Sequence, residues 1–233
     1  MKLHLLEDLI HRFIQCQLQS VETSWYFPHS IVDNFHENWN SSTALPLKER
    51  YENSLRSDIS QRWWKRENYR PKEIMLKLIQ ADEELAGIAF KDLANDSATL
   101  DGRLSRFNFY CEELLQMHRK KHIRDIETHH HQDAGIISLY LAGWFPEKYT
   151  LYPGFEAFQK FSMAIGSPEI PVIDDLVRYY KMTTIIYKFL MKDPQFQKLD
   201  EKRMHSNERI KFIPFQVTYE IFRFAADQKN SSA

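Results

Sequence analysis

The chain opens with an apolar stripe at helical spacing: Leu3, Leu6, Ile10, Phe13, Ile14 and Leu18, with Glu7, Asp8, Arg12 and Gln15 falling elsewhere. That period predicts an amphipathic helix. Trp25-Tyr26-Phe27-Pro28 breaks it, and the polar run from Asn38 to Thr43, closed by Pro46, reads as a loop. From Leu47 the apolar positions recur at every fourth residue (Tyr51, Leu55, Ile59, Trp63), a stripe that winds around its helix. Pro71 suits a first helical turn, where its missing N–H costs little. The face that follows is Met75, Leu78, Ile79, Leu85, Ala86, Ala89, Phe90 and Leu93.

Asn95-Asp96-Ser97 and Asp101-Gly102 predict a turn, after which Leu104, Phe107, Cys111, Leu114, Leu115 and His118 share one helical side. The tract His129-His130-His131 separates that helix from a shorter one carrying Ile136, Ile137, Tyr140, Leu141 and Trp144, ended by Phe145-Pro146. Phe155, Phe158, Phe161 and Ile165 form another helix, stopped by Gly166 just past its end. Asp174 is the expected cap of a helix running through Leu176, Tyr179, Thr183, Ile186, Tyr187 and Leu190. Residues 195–211 are polar. The segment 212–226 mixes aromatic and β-branched residues, and the shared face of Phe215, Tyr219 and Phe222 favours helix over strand. Residues 227–233 read as a frayed end or the start of a linker.

The expected fold is therefore all-α: an irregular multi-helix bundle of about seven to nine helices. It divides into an N-terminal helical subdomain (1–100) and a C-terminal one (101–233), packed as one unit. Composition supports this picture. Of 233 residues 43% are hydrophobic, with 16 Phe, 11 Tyr and 5 Trp for an aromatic-rich core. The 6 Gly are too few for a sandwich, a barrel or a nucleotide-binding α/β fold. The formal net charge of −1 restricts any nucleic-acid surface to a local patch. Cys16 and Cys111, each among apolar neighbours, are expected as buried thiols, and two cysteines build neither a disulfide framework nor a Cys-rich zinc site. No stretch approaches a membrane span and no secretory apolar block begins the chain, which makes the cytoplasm the expected compartment and a membrane partner unexpected.

Three groups of residues bear on chemistry. Arg62, Trp64, Lys65 and Arg66 mix cations with an indole able to stack on an unpaired base, and Arg119, Lys120, Lys121 and Arg124 form a second basic run. Both are candidate nucleic-acid contacts. The third group is His118, His122, His129 and His131. His118 and His122, four apart on a helix, could approach one metal ion as part of a hydrolase. Arg119 nevertheless stands where a zinc protease carries Glu, Gln132 separates His131 from Asp133, and Lys120, Lys121 and Arg124 repel a divalent ion. The primary expectation is no metal and no cofactor. No Gly-x-x-x-x-Gly-Lys-Ser/Thr loop, Gly-x-Ser-x-Gly elbow or Cys–His nucleophile signature occurs, so no catalytic residue is assigned.

From Arg106 to Phe224 the sequence resembles a helical region that lies in front of the motor domain in some bacterial McrB-type proteins, AAA+ NTPases of restriction and phage defence. The resemblance rests on Asp133, Ile137-Ser138-Leu139-Tyr140-Leu141, and Phe145-Pro146-Glu147-Lys148-Tyr149-Thr150-Leu151-Tyr152. It continues through Phe155, Phe158, Gly166, Tyr179, Lys192-Asp193 and Phe215-Gln216-Val217-Thr218-Tyr219. It covers about half the chain, and the motor's phosphate loop is missing. It implies a recognition or coupling role that binds DNA or a partner protein (an AAA+ motor or nuclease subunit), with the chemistry carried elsewhere. Read physically, the Pro146 segment is a pinned loop with Tyr149 and Tyr152 packed inward and Lys148 outward.

Overall fold

The computed structural model describes residues 2–19, 29–41, 44–56, 70–125, 127–199 and 214–228. Among them no strand occurs. Ten α-helices and a 3-10 turn are bounded: α1 (Leu3–Gln19), α2 (His29–Ser41), α3 (Leu47–Ser54), α4 (Pro71–Ala81), α5 (Glu83–Leu93), α6 (Leu100–Lys121), α7 (Ala134–Trp144), α8 (Phe155–Ala164), α9 (Leu176–Leu190), the turn Pro214–Gln216 and α10 (Val217–Asp227). The all-α class agrees with the sequence, and the count exceeds the seven to nine expected.

Two differences account for most of the excess. Residues 38–41, expected as loop, belong to α2, which buries Ile31, Val32, Phe35 and Trp39 on one face. The stretch after Pro71 is two helices: Asp82, at φ −159° and ψ 102°, leaves α4 and caps α5 by accepting the Leu85 N–H at 2.9 Å. Gly102, expected in a turn, lies inside α6, whose cap is Thr99. At α9 the cap is Asp175, one residue later than expected, accepting the Arg178 N–H at 2.8 Å. Asp174 instead faces the Tyr152 hydroxyl. Cys111 is buried as expected, whereas Cys16 is exposed on the polar side of α1.

The contacts divide the chain into two compact units, 1–28 with 145–233, and 29–144. The expected boundary at 100/101 falls within the second, where α5 packs on α6. In that unit (α2–α7) the centre is Tyr140. Its ring meets Phe35, Tyr51, Phe90 and Phe107 at centroid distances of 5.5–6.2 Å. Tyr140 donates to Gln132 Oε1 at 2.8 Å and so accepts from Tyr51 at 2.8 Å. Gln132 in turn donates to the Pro71 carbonyl at 2.9 Å, joining the start of α4 to the loop before α7. A Cβ on Gly143 would overlap the Phe35 ring, so glycine is what lets α7 lie against α2.

In the unit of α1, α8, α9 and α10, Phe13, Phe158, Phe161, Tyr179 and Phe222 form the core. Phe161 and Phe222 lie 4.1 Å apart. α8 ends in a Schellman motif: Gly166 (φ +57°) donates to the Met163 carbonyl and Ser167 to that of Ser162, both at 2.9 Å. The segment 145–152 behaves as its sequence suggests, with Tyr149 and Tyr152 buried and Lys148 exposed. Its carbonyls are held by side chains: Tyr179 on Leu151 (2.6 Å), Tyr180 on Thr150 (2.9 Å) and Gln216 on Pro146 (2.8 Å). No described helix is long and apolar enough to cross a membrane.

Candidate nucleic-acid interface

α6 is amphipathic to its last turn, with Leu114, Leu115 and His118 inside and His118, Arg119, Lys120 and Lys121 completing it. Cations there complement the negative end of the helix dipole. His122 ends the helix, and the chain turns through Ile123 and Arg124 to a loop that reaches α7. Asp133 closes the loop by accepting from Gly135 at 2.9 Å and Ile136 at 3.2 Å, capping α7.

Within the loop Asp125 and Glu127 each meet a base from outside it. Asp125 Oδ2 receives Lys77 Nζ of α4 at 2.6 Å and His118 Nε2 at 3.0 Å, while its Oδ1 accepts the Glu127 N–H at 3.1 Å. The Lys77 hydrogen bond, helped by His118, holds this carboxyl well below the usual carboxylate range. Glu127 accepts from Arg70 at 3.0 Å and from His131 Nε2 at 3.1 Å. His131 sits at φ +54°, with its N–H on His129 Nδ1. His130 turns inward. Its Nδ1 accepts the Gln132 N–H at 3.0 Å, so the neutral ring carries its proton on Nε2, 3.3 Å from Glu112. Burial pushes the His130 pKa down, opposed by Glu112.

The basic groups divide differently. Lys121 Nζ donates to the Ala81 carbonyl at 2.6 Å, closing the end of α4. Arg119, Lys120 and Arg124 are exposed, and none has a carboxylate within ion-pair distance among the described residues. They surround Ile123, which is 90% exposed and lines two open clefts of about 1180 and 630 Å³. Arg124, His122 and His129 also line the larger, and Arg119 and Lys120 the smaller.

No family model, curated protein or solved structure matches the chain.

The site residues expected from sequence therefore fare unequally. Arg119, Lys120 and Arg124 come together on one surface, and Lys121 lies beside them with its ammonium committed to α4. Arg62, Trp64, Lys65 and Arg66 lie outside the described residues. All four histidines line the larger cleft, where they make two contacting pairs. His118 and His122 lie 4.6 Å apart with their rings tilted, beside Asp125, whereas His129 and His131 meet edge to face at 5.1 Å beside Glu127. Among the described residues no three His, Cys, Asp or Glu groups are placed to hold a metal ion. Ile123 is the element that sequence reasoning passed over. Its signal is an apolar residue standing alone in a run of cations, off the buried stripe of α6.

Proposed function

We propose that this chain is a non-catalytic helical recognition module that binds the phosphate backbone of DNA through Arg119, Lys120 and Arg124. The observation that supports it most directly is the exposure of these three cations without an ion-pair partner among the described residues. Meanwhile Asp125 and Glu127 beside them are paired with the cations Lys77 and Arg70, and each is hydrogen-bonded to a histidine. Such a patch presents net positive charge although the whole chain is nearly neutral. Ile123 between the cations can rest against sugar or base. The resemblance to McrB-type pre-motor regions adds a place for the chemistry, an AAA+ motor or nuclease acting as partner. In this reading the basic run at Arg62, Trp64, Lys65 and Arg66 is a second contact.

The test is fluorescence anisotropy with single- and double-stranded DNA oligonucleotides at low salt. The wild type binds, and R119A/K120A/R124A loses at least tenfold in affinity, about 1.4 kcal/mol. R62A/K65A/R66A reports separately on the second run. Undiminished binding in the first variant removes the α6 surface from the account, and no binding by the wild type at low salt removes the function.

A further inference from the structure

α5 contains a glycine that the protein's own packing does not explain. Gly87 lies mid-helix with ordinary helical dihedrals, where glycine is among the poorest helix formers. A Cβ built there meets no atom within 4 Å. Close approach and backbone strain, the reasons that account for Gly143 and Gly166, are both absent.

The open space over Gly87 is a cleft of about 450 Å³ on the α2, α3 and α5 side of its unit, within the size range of small-molecule sites. Trp39, Phe90 and Trp144 form its aromatic wall: Trp39 stands 5.2 Å from Phe90 and 5.5 Å from Trp144. Arg50 lies over the Trp39 ring, its guanidinium carbon 4.4 Å from the centroid, and donates Nε to the Trp39 carbonyl at 2.7 Å. The guanidinium is thus fixed on an aromatic surface, half-buried, with no carboxylate partner among the described residues. Burial lowers its pKa, the sign of a charge incompletely compensated. The other charged groups of the cleft are Glu83, Glu84 and Lys91. Glu83 is engaged at the start of α3, accepting the Leu47 N–H at 2.6 Å. Glu84 and Lys91, both exposed, offset one another in sign.

We infer that this cleft binds a small planar aromatic carboxylate: its ring lies over the bare backbone at Gly87 against the Trp39–Phe90–Trp144 wall, and its carboxylate pairs with the free Nη groups of Arg50. The unpaired guanidinium selects an anion and can bind it bidentately. The aromatic wall selects a flat apolar body. The missing Cβ supplies the room.

The full chain is screened by ligand-observed NMR against benzoate, 2-naphthoate and indole-3-acetate, each beside its neutral amide. At least one acid binds with a Kd of about 1 mM or tighter, and its amide binds at least tenfold more weakly. G87L, which puts a branched side chain into the cleft, abolishes that binding. It also raises the unfolding midpoint by about 2–4 °C, because leucine is the better helix former. Loss of binding in a more stable protein separates a blocked site from a damaged fold. R50Q retains a donor toward Trp39 and brings acid and amide to equal affinity. The proposal is overturned if no acid of the panel binds at that concentration, if amides bind as well as acids, or if G87L binds as the wild type does.

Discussion

Tyr140 shows how much of the second unit depends on single polar atoms. Its hydroxyl receives the proton of Tyr51 and gives its own to Gln132, in a region closed to water. Burial holds the Tyr51 phenol well above its usual range, so that group stays a donor. Tyr140→Phe keeps the ring and deletes the bridge, leaving a buried donor and a buried acceptor unmatched at a cost of about 1–3 kcal/mol. Urea denaturation of the variant measures it, and a loss below the scatter of that assay would show the chain of bonds to be dispensable. His130 makes a second residue-scale statement. Its folded pKa lies below the ordinary 6.5, so below that value the unfolded chain binds more protons and stability falls as pH drops. This contribution is complete above pH 6.5 and declines beneath it. His130→Asn retains an acceptor for the Gln132 N–H and flattens the decline. Melting curves between pH 7.5 and about 5 check the sign, and a wild type that gains stability on acidification relative to the variant would contradict it.

Helices were legible wherever an apolar stripe stood out against polar neighbours, as in α1, α6, α8 and α10. α2 was not. Its buried Ile31, Val32, Phe35 and Trp39 run into the polar stretch that begins at Asn38 and reads as a loop. Asn38 spends its amide on the Asn34 carbonyl one turn back, inside the helix. The break at Asp82 was hidden because the stripe continues in phase across it; the extended backbone of Asp82 and its side-chain bond to Leu85 mark the new start. Asp82→Ala removes that cap and costs about 1 kcal/mol by chemical denaturation. An unchanged midpoint would mean that α4 and α5 hold their angle by packing alone. The end of α8 was legible for the opposite reason, since the left-handed conformation at Gly166 is one that few residues adopt.

At the scale of the whole molecule, the basic run of α6 could be read from the sequence and its electrostatic setting could not. Whether Arg119, Lys120 and Arg124 stand free depends on which cations the loop's acids take. Those are Lys77 and Arg70, 48 and 57 residues away from Asp125 and Glu127. The same distance effect shapes the histidine tract. The histidines are close in sequence, but Asp125 and Glu127 divide them into two pairs. The account's central claim is that the charge left over is a phosphate-binding surface, and the salt dependence of DNA binding tests it most directly. Three phosphate contacts carry a slope of about −2.7 in log K against log salt on duplex DNA. The wild-type slope should exceed that of R119A/K120A/R124A by about this amount. Equal slopes in the two proteins would contradict the assignment of the interface.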